Sequence, residues 1–381
     1  MFDFDTPVDR SDSDSIKWQR YRNTDIIPLW VADMDFRSPP EVVRAIKQRA
    51  DHGVFGYGAA SGELRDTIVE MLARKYRWQV DPGWLVWLPG LVTGLNVACR
   101  SVGNTGDRVL TTTPIYPPFL TAPGFSGRKL DTVGLSCTNS RWAIDMQTLE
   151  AAVTPATHLL LLCNPHNPAG RVFSRKELED LAEISRRHEL IICSDEIHCD
   201  LILDPAKQHI PMASLSPAIQ QRTITLMAPS KTYNIPGLSC SFAVIADSGL
   251  RQSFRKAMAG IVPHVNLFGY VAALAAYRHG ERWLAQVLSL LRENHQRVLQ
   301  RIHAMSGLKT TPVEATYLAW IDARDTGIPK PAAFFEQAGV GLSDGAEFGA
   351  PGFVRLNFGC CRSLLETALR RMETALAGRS C

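Results

Sequence analysis

Three short loops, each following a strand-length apolar run, carry the residues in this chain most able to do chemistry. After His158 to Cys163 comes Asn164-Pro165-His166-Asn167-Pro168-Ala169-Gly170. After Leu190 to Cys193 comes Ser194-Asp195-Glu196-Ile197-His198, and after Thr223 to Met227 comes Ala228-Pro229-Ser230-Lys231-Thr232. Taken singly they read as an Asn-Pro turn, a carboxylate at a strand end and a surface lysine. Taken together they offer an amide donor, an acid and a lysine on successive strands. That is the set pyridoxal 5'-phosphate (PLP) requires: an amine to join its aldehyde, a carboxylate to keep its ring nitrogen protonated, and a ring that then accepts the electrons of a substrate carbanion.

The elements that must position these loops are legible in the same way. Strand-length runs occur at Trp84 to Leu88, Arg108 to Thr112, His158 to Cys163, Leu190 to Ser194, Thr223 to Met227 and Phe242 to Ile245. Helix-period segments lie between them, one with Leu178, Leu181, Ile184 and Leu190 on its apolar face and a capping box at Ser174 and Glu177. Such alternation predicts an α/β fold with a mostly parallel sheet, whose strand ends are where chemistry is sought. Beyond about residue 280 the spacing predicts a long helix from Glu281 to about Met305, strands at Tyr317 to Ile321 and Phe353 to Phe358, and a helix over about Leu364 to Leu376. We expect a large domain over residues 51–280, a smaller α+β domain over 281–381, and an N-terminal segment, 1–50, packing on the small domain or at a subunit interface.

Composition narrows the function classes. The 381 residues are 45% hydrophobic and 21% charged, enough for a large core, and the formal charge of +3 is too small to predict a nucleic-acid-wrapping surface. Nine cysteines, several inside apolar runs and without a C-x-x-C pair, read as the reduced thiols of a cytoplasmic protein. Neither an export signal nor a membrane span is expected.

Several motifs tempt and fail. Gly341-Leu342-Ser343-Asp344-Gly345 fits G-x-S-x-G, but that motif needs a downstream histidine and the last one here is His303. Gly56, Gly58 and Gly62 miss the dinucleotide spacing by one position. His198 and Asp200 lack a third ligand at metal spacing, so no metal is expected.

On these loops the chain resembles the fold-type I PLP enzymes of the class I/II aminotransferase family. Within that family Lys17-Trp18, Trp30-Val31-Ala32-Asp33-Met34-Asp35-Phe36 and Ser194 to His198 look like the MalY/PatB-type carbon–sulfur β-lyases. The resemblance implies a three-layer α/β sandwich and assigns Lys231 to the covalent bond with the cofactor and to the Cα proton. It places Asp195 at the ring nitrogen, Asn167 at the phenolic oxygen and Tyr116 against the ring. The phosphate is expected where Gly90 opens a helix at Leu91 and Val92, with Ser230 adding a hydroxyl. Tyr57 is expected to reach the phosphate from a neighbouring subunit, which implies a homodimer with shared sites. Arg355 is expected to grip the substrate α-carboxylate, with Ala32 and Asn167 beside it. Tyr57, Tyr116 or a water is expected to protonate the leaving thiolate.

Three positions depart from the broader pattern. Ser239 stands where many members place a phosphate-binding arginine, Ala228 where a serine is frequent, and His198 where many transaminases have a tyrosine. A histidine there either donates a hydrogen bond or titrates near neutrality. The expected reaction is α,β-elimination from cystathionine or another S-substituted cysteine; transamination of an amino acid and a regulatory protein-binding role are the alternatives.

Overall fold

Long aliphatic runs such as Leu159 to Leu162 have no polar face, so they suit strands covered on both sides. In the computed structural model, which describes residues 2–378 and so leaves Cys381 outside, they form the middle of a seven-stranded sheet. Its strands are β1 (Leu85–Leu88), β2 (Arg108–Thr113), β3 (Lys129–Gly134), β4 (Thr157–Cys163), β5 (Ile191–Asp195), β6 (Thr223–Met227) and β7 (Ser241–Ile245). The order is β1-β7-β6-β5-β4-β2-β3; β7 runs antiparallel to both neighbours and the remaining pairs are parallel. The edge strand β3 has no counterpart among the strands expected from sequence. Its Lys-Leu-Asp-Thr-Val-Gly alternates little and is mostly open to solvent, so it lacks an apolar signature.

Helices cover the sheet. The capping box forms as expected: Ser174 Oγ accepts from Glu177 N, and Glu177 Oε2 accepts from Ser174 N at 2.8 Å. The helix it opens ends at Arg187, short of Leu190. Glu189 turns through a left-handed φ of 55°, and Leu190 enters the core as the lead into β5 rather than as a helix residue. No helix among the described residues is long and apolar enough to cross a membrane.

A second, antiparallel sheet holds β8 (Lys309–Thr310), β9 (Leu318–Asp322), β10 (Ser343–Asp344) and β11 (Phe353–Asn357) in the order β8-β9-β11-β10. Ser343 of the G-x-S-x-G motif is thus a strand residue, and its hydroxyl donates to Trp30 O at 2.8 Å. The helices Glu281–Ala304 and Arg362–Ala377 pack together beside this sheet.

The first forty residues are held by side chains as much as by ladders. Ile27–Pro28 pairs in parallel with Val340–Gly341. Asn357 Nδ2 donates to Val31 O and Asp33 O at 2.6 and 2.8 Å, while Asn234 Nδ2 donates to Met34 O and Phe36 O at 2.9 and 2.8 Å. Two asparagines, one from each sheet's neighbourhood, therefore fix the segment around Ala32. Helix Pro40–Asp51 then packs on helix Leu267–His279.

Beneath that segment lies a buried ion cluster. Asp35 accepts from Lys17 Nζ at 2.7 Å, Arg10 at 2.7 Å and Trp18 Nε1 at 2.9 Å, and the Lys17 side chain has no exposed area. Removing one member leaves the other charges buried and unmatched, which costs about 3–5 kcal/mol. Asp35→Ala is therefore expected to lower the unfolding free energy by about that amount in chemical denaturation, with Lys17→Met less harmful because Asp35 keeps Arg10 as a counter-ion.

Candidate active site

Because β4, β5 and β6 are parallel neighbours, their carboxyl ends open at one edge of the sheet, where ligand crevices form in open α/β folds. Asp195 lies in register between Cys163 on β4 and Leu226 on β6. Here a cavity of about 920 Å³ is lined by Lys231, Asp195, Asn167, His198, Tyr116 and Arg355, with Ala32, Gly90, Leu91, Val92 and Ser230 around them. Of the residues singled out from sequence, Tyr57 alone is not in the lining. It stands fully exposed in the segment before helix Gly62–Tyr76.

Lys231 Nζ donates to Ala32 O at 2.6 Å, and the same carbonyl accepts from Tyr317 OH at 2.9 Å. Burial pulls the amine from the ordinary lysine range down to about 8; the Arg355 charge acts the same way, while Asp33 and Asp195 oppose it. An amine so placed is substantially unprotonated in mildly alkaline solution, as a nucleophile must be. Burial pushes the Asp195 carboxyl up to about 7, with Glu196 adding to the rise and the Ile197 N–H and Lys231 opposing it. Its Oδ1 accepts from Ile197 N at 3.1 Å.

Arg355 is 4% exposed and has no carboxylate within ion-pair distance among the described residues. It donates instead to Asn167 Oδ1 at 3.0 Å, Trp30 O at 2.8 Å and Ser343 Oγ at 3.2 Å, and its Nε is left without a partner. Burial brings the guanidinium down to about 10, still charged at neutral pH. A buried cation without a counter-ion is costly unless a ligand supplies one. The Phe348 ring lies 4.7 Å below it.

His198 is pulled down to about 3, by burial first and then by Lys231 and Arg355. Burial thus favours the neutral imidazole, as the hydrogen-bonding reading of this histidine requires. Its Nδ1 is buried without a partner. Tyr116 is pushed up by burial and keeps its phenolic proton. Helix Leu91–Ser101 begins at Gly90 with no side-chain cap, and a Cβ built at Gly90 would meet no protein atom. Its first N–H groups thus face open space as an anion site.

Arg10, Asp33, Trp30 and Tyr317 were not singled out as site residues. Asp33 is the strongest charge acting to keep Lys231 protonated, and Arg10 pairs with it at 2.7 Å. Asp33 sits in the Trp30 to Phe36 motif, which was a usable signal. Nothing near Arg10 or Tyr317 in sequence connects them to Lys231.

A nucleophilic lysine, a carboxylate suited to a cationic partner, a helix-end anion site and an arginine without a counter-ion define an enzyme site for a phosphorylated carbonyl cofactor and an amino-acid substrate. The comparisons with known proteins agree. Residues 24–372 match the family model "Aminotransferase class I and II". The cystathionine beta-lyase PatB of Bacillus subtilis (strain 168) is 35% identical over 98% of this chain and all of its own. The crystal structure of OvoB superposes with a TM-score of 0.97 at 48% identity, covering 98% of this chain and 99% of that one. Cystalysin from Treponema denticola, whose structure contains PLP, gives a TM-score of 0.96 at 30% identity over the whole of both chains. The chain belongs to the class I and II aminotransferase family of fold-type I PLP enzymes, in its carbon–sulfur β-lyase branch.

The residues present fit PLP. Asp195 would hold the ring nitrogen, the Leu91 helix end and Ser230 the phosphate, Tyr116 the ring face, and Asn167 with neutral His198 the phenolic side. The rate at which cofactor-free protein captures PLP is expected to rise with pH and level off above about 8, following the free-amine fraction of Lys231. Stopped-flow absorbance at several pH values checks this.

Proposed function

We propose that this protein cleaves S-substituted L-cysteines, cystathionine among them, by α,β-elimination to a thiol and aminoacrylate, which water hydrolyses to pyruvate and ammonia. The observation that carries the reading is the buried Arg355, without an acidic partner, on the same cavity as Lys231, in a chain that matches a cystathionine β-lyase along its whole length. PLP supplies the electron sink for the charge left at Cα. Arg355 takes the α-carboxylate through its guanidinium fork, and Asn167, already bonded to Arg355, fixes its tilt. Lys231, which would hold the cofactor at rest, is the free base placed to remove the Cα proton. Asp195 would hold the ring nitrogen as its counter-ion. Tyr116, protonated because it is buried, is the donor to the thiolate that departs from Cβ.

The site is completed, in this reading, by a second copy of the chain in a cytoplasmic homodimer, with the division into domains near residues 51 and 281. Val54, Phe55 and Tyr57, close together in the chain, expose 62, 60 and 106% of their surface, as residues that a second subunit covers would. Tyr57 supplies its hydroxyl to the partner's phosphate, so Tyr57→Phe is expected to weaken PLP binding about tenfold, the loss of one charge-assisted hydrogen bond, measured by equilibrium dialysis.

The activity is tested by giving PLP-loaded protein L-cystathionine, then S-alkyl cysteines, without any 2-oxo acid. Equal yields of pyruvate, ammonia and thiol are expected. Accumulation of pyridoxamine phosphate without pyruvate would make the protein a transaminase instead.

A further inference from the structure

Directly behind Asp195, on the side away from the cavity, lies a polar unit that the mechanism above does not use. Glu196 follows Asp195 in the chain and its side chain is wholly buried, as is that of His209. Glu196 Oε2 meets His209 Nε2 at 2.8 Å, while Oε1 accepts from Ser194 Oγ at 2.8 Å and Met212 N at 2.9 Å. Its backbone N–H donates to Leu226 O at 2.9 Å, which locks it to β6. Three donors converge on one carboxylate. The His209 Nδ1 atom is buried without a partner. A ring that donates through Nε2 and leaves a bare lone pair at Nδ1 strands less than one with a second buried N–H. The unit is therefore a carboxylate fixed in place by three donors.

The other groups around it do not cancel that charge. On the same loop, Asp200 is occupied by Lys75 Nζ at 2.9 Å and Tyr76 OH at 2.7 Å, both from helix Gly62–Tyr76. The Tyr76 ring stands edge-on to His209 at 5.5 Å. Cys199 faces the unit, and Cys163 and Cys193 face Asp195; burial raises all three thiols, so none carries charge. Lys231 lies on the far, cavity side of Asp195.

We propose that Glu196, held ionised by His209, is a positioning residue that acts through Asp195. It places a second buried negative charge behind the first and so biases the proton onto the nitrogen of the cofactor ring. This rests on the reading of Asp195 as the partner of that nitrogen. The charge is useful there because a carboxylate that burial drives toward neutrality is a poor counter-ion by itself, whereas two carboxylates behind one proton keep it on the ring side of the cavity. It also explains why a glutamate is buried at a strand end with a histidine 13 residues further on turned back to meet it.

The test is the ring-nitrogen resonance of protein loaded with ¹⁵N-labelled PLP, followed against pH. Glu196→Gln keeps the shape and acceptor oxygen but removes the charge, and its deprotonation midpoint is expected at least about one pH unit below that of the unaltered protein, a tenfold change in proton affinity. His209→Gln, which keeps a donor, is expected to retain the native midpoint. His209→Leu, which lets the carboxylate take up a proton, is expected to behave as Glu196→Gln. This pair decides the matter if Glu196→Gln does not fold. A midpoint unchanged in both Glu196→Gln and His209→Leu, equal effects of the two His209 substitutions, or no deprotonation in any of these proteins up to the alkaline limit of folding overturns the proposal. Asp195→Asn serves as the reference: if it too leaves the resonance unchanged, the reading of Asp195 falls, and if it alone changes the resonance, only the role of Glu196 does.

Discussion

The carbonyl of Ala32 is the joint on which this molecule turns. It accepts hydrogen bonds from Lys231 Nζ and from Tyr317 OH, at 2.6 and 2.9 Å. Lys231 follows β6 of the large sheet, Tyr317 precedes β9 of the small one, and Ala32 belongs to the N-terminal segment. Three parts of the chain with no local reason to meet are tied at one oxygen, and that oxygen lies on the wall of the cavity. The flanking clamps, Asn357 on one side and Asn234 on the other, leave the Ala32 peptide little freedom to move.

Around this joint the charges are arranged so that the protein alone does not satisfy them. Arg355 is buried without an acid, Asp195 is driven toward protonation, and Lys231 is drawn toward its free base. By contrast Lys17, Arg10, Asp33 and Asp35, a short distance away, form a matched set. The matched cluster carries structure and the unmatched groups carry chemistry. Perturbed groups gathered in one cleft are the mark of a functional site, and in the proposed reading each imbalance answers a charge on the cofactor or substrate.

The parallel core was legible because Leu159 to Leu162, Ile191 to Ser194 and Thr223 to Met227 are apolar runs too short for helices and bounded by turn residues. Strand β3 was not, because its exposed edge has no apolar periodicity, and Leu190, read both on a helix face and in a strand-length run, lies just before β5 because Glu189 breaks the helical path. Within the site, Lys231, Asp195 and Asn167 stood out through local motifs at strand ends. Arg10, Tyr317 and His209 did not, since each reaches its partner across a long stretch of chain and side-chain contacts of that kind leave no local pattern. Gly341 to Gly345 shows the converse: a local pattern whose serine is committed to the Trp30 carbonyl and to Arg355.

The central claim, that the site is organised about Lys231, is tested most directly by treating PLP-loaded protein with borohydride, which fixes the pyridoxyl group on the lysine that holds it, and mapping the product by peptide mass spectrometry. The account requires a single modified residue, Lys231, with no label fixed in a Lys231→Ala variant. Label on another lysine, or equal labelling of the variant, would contradict it.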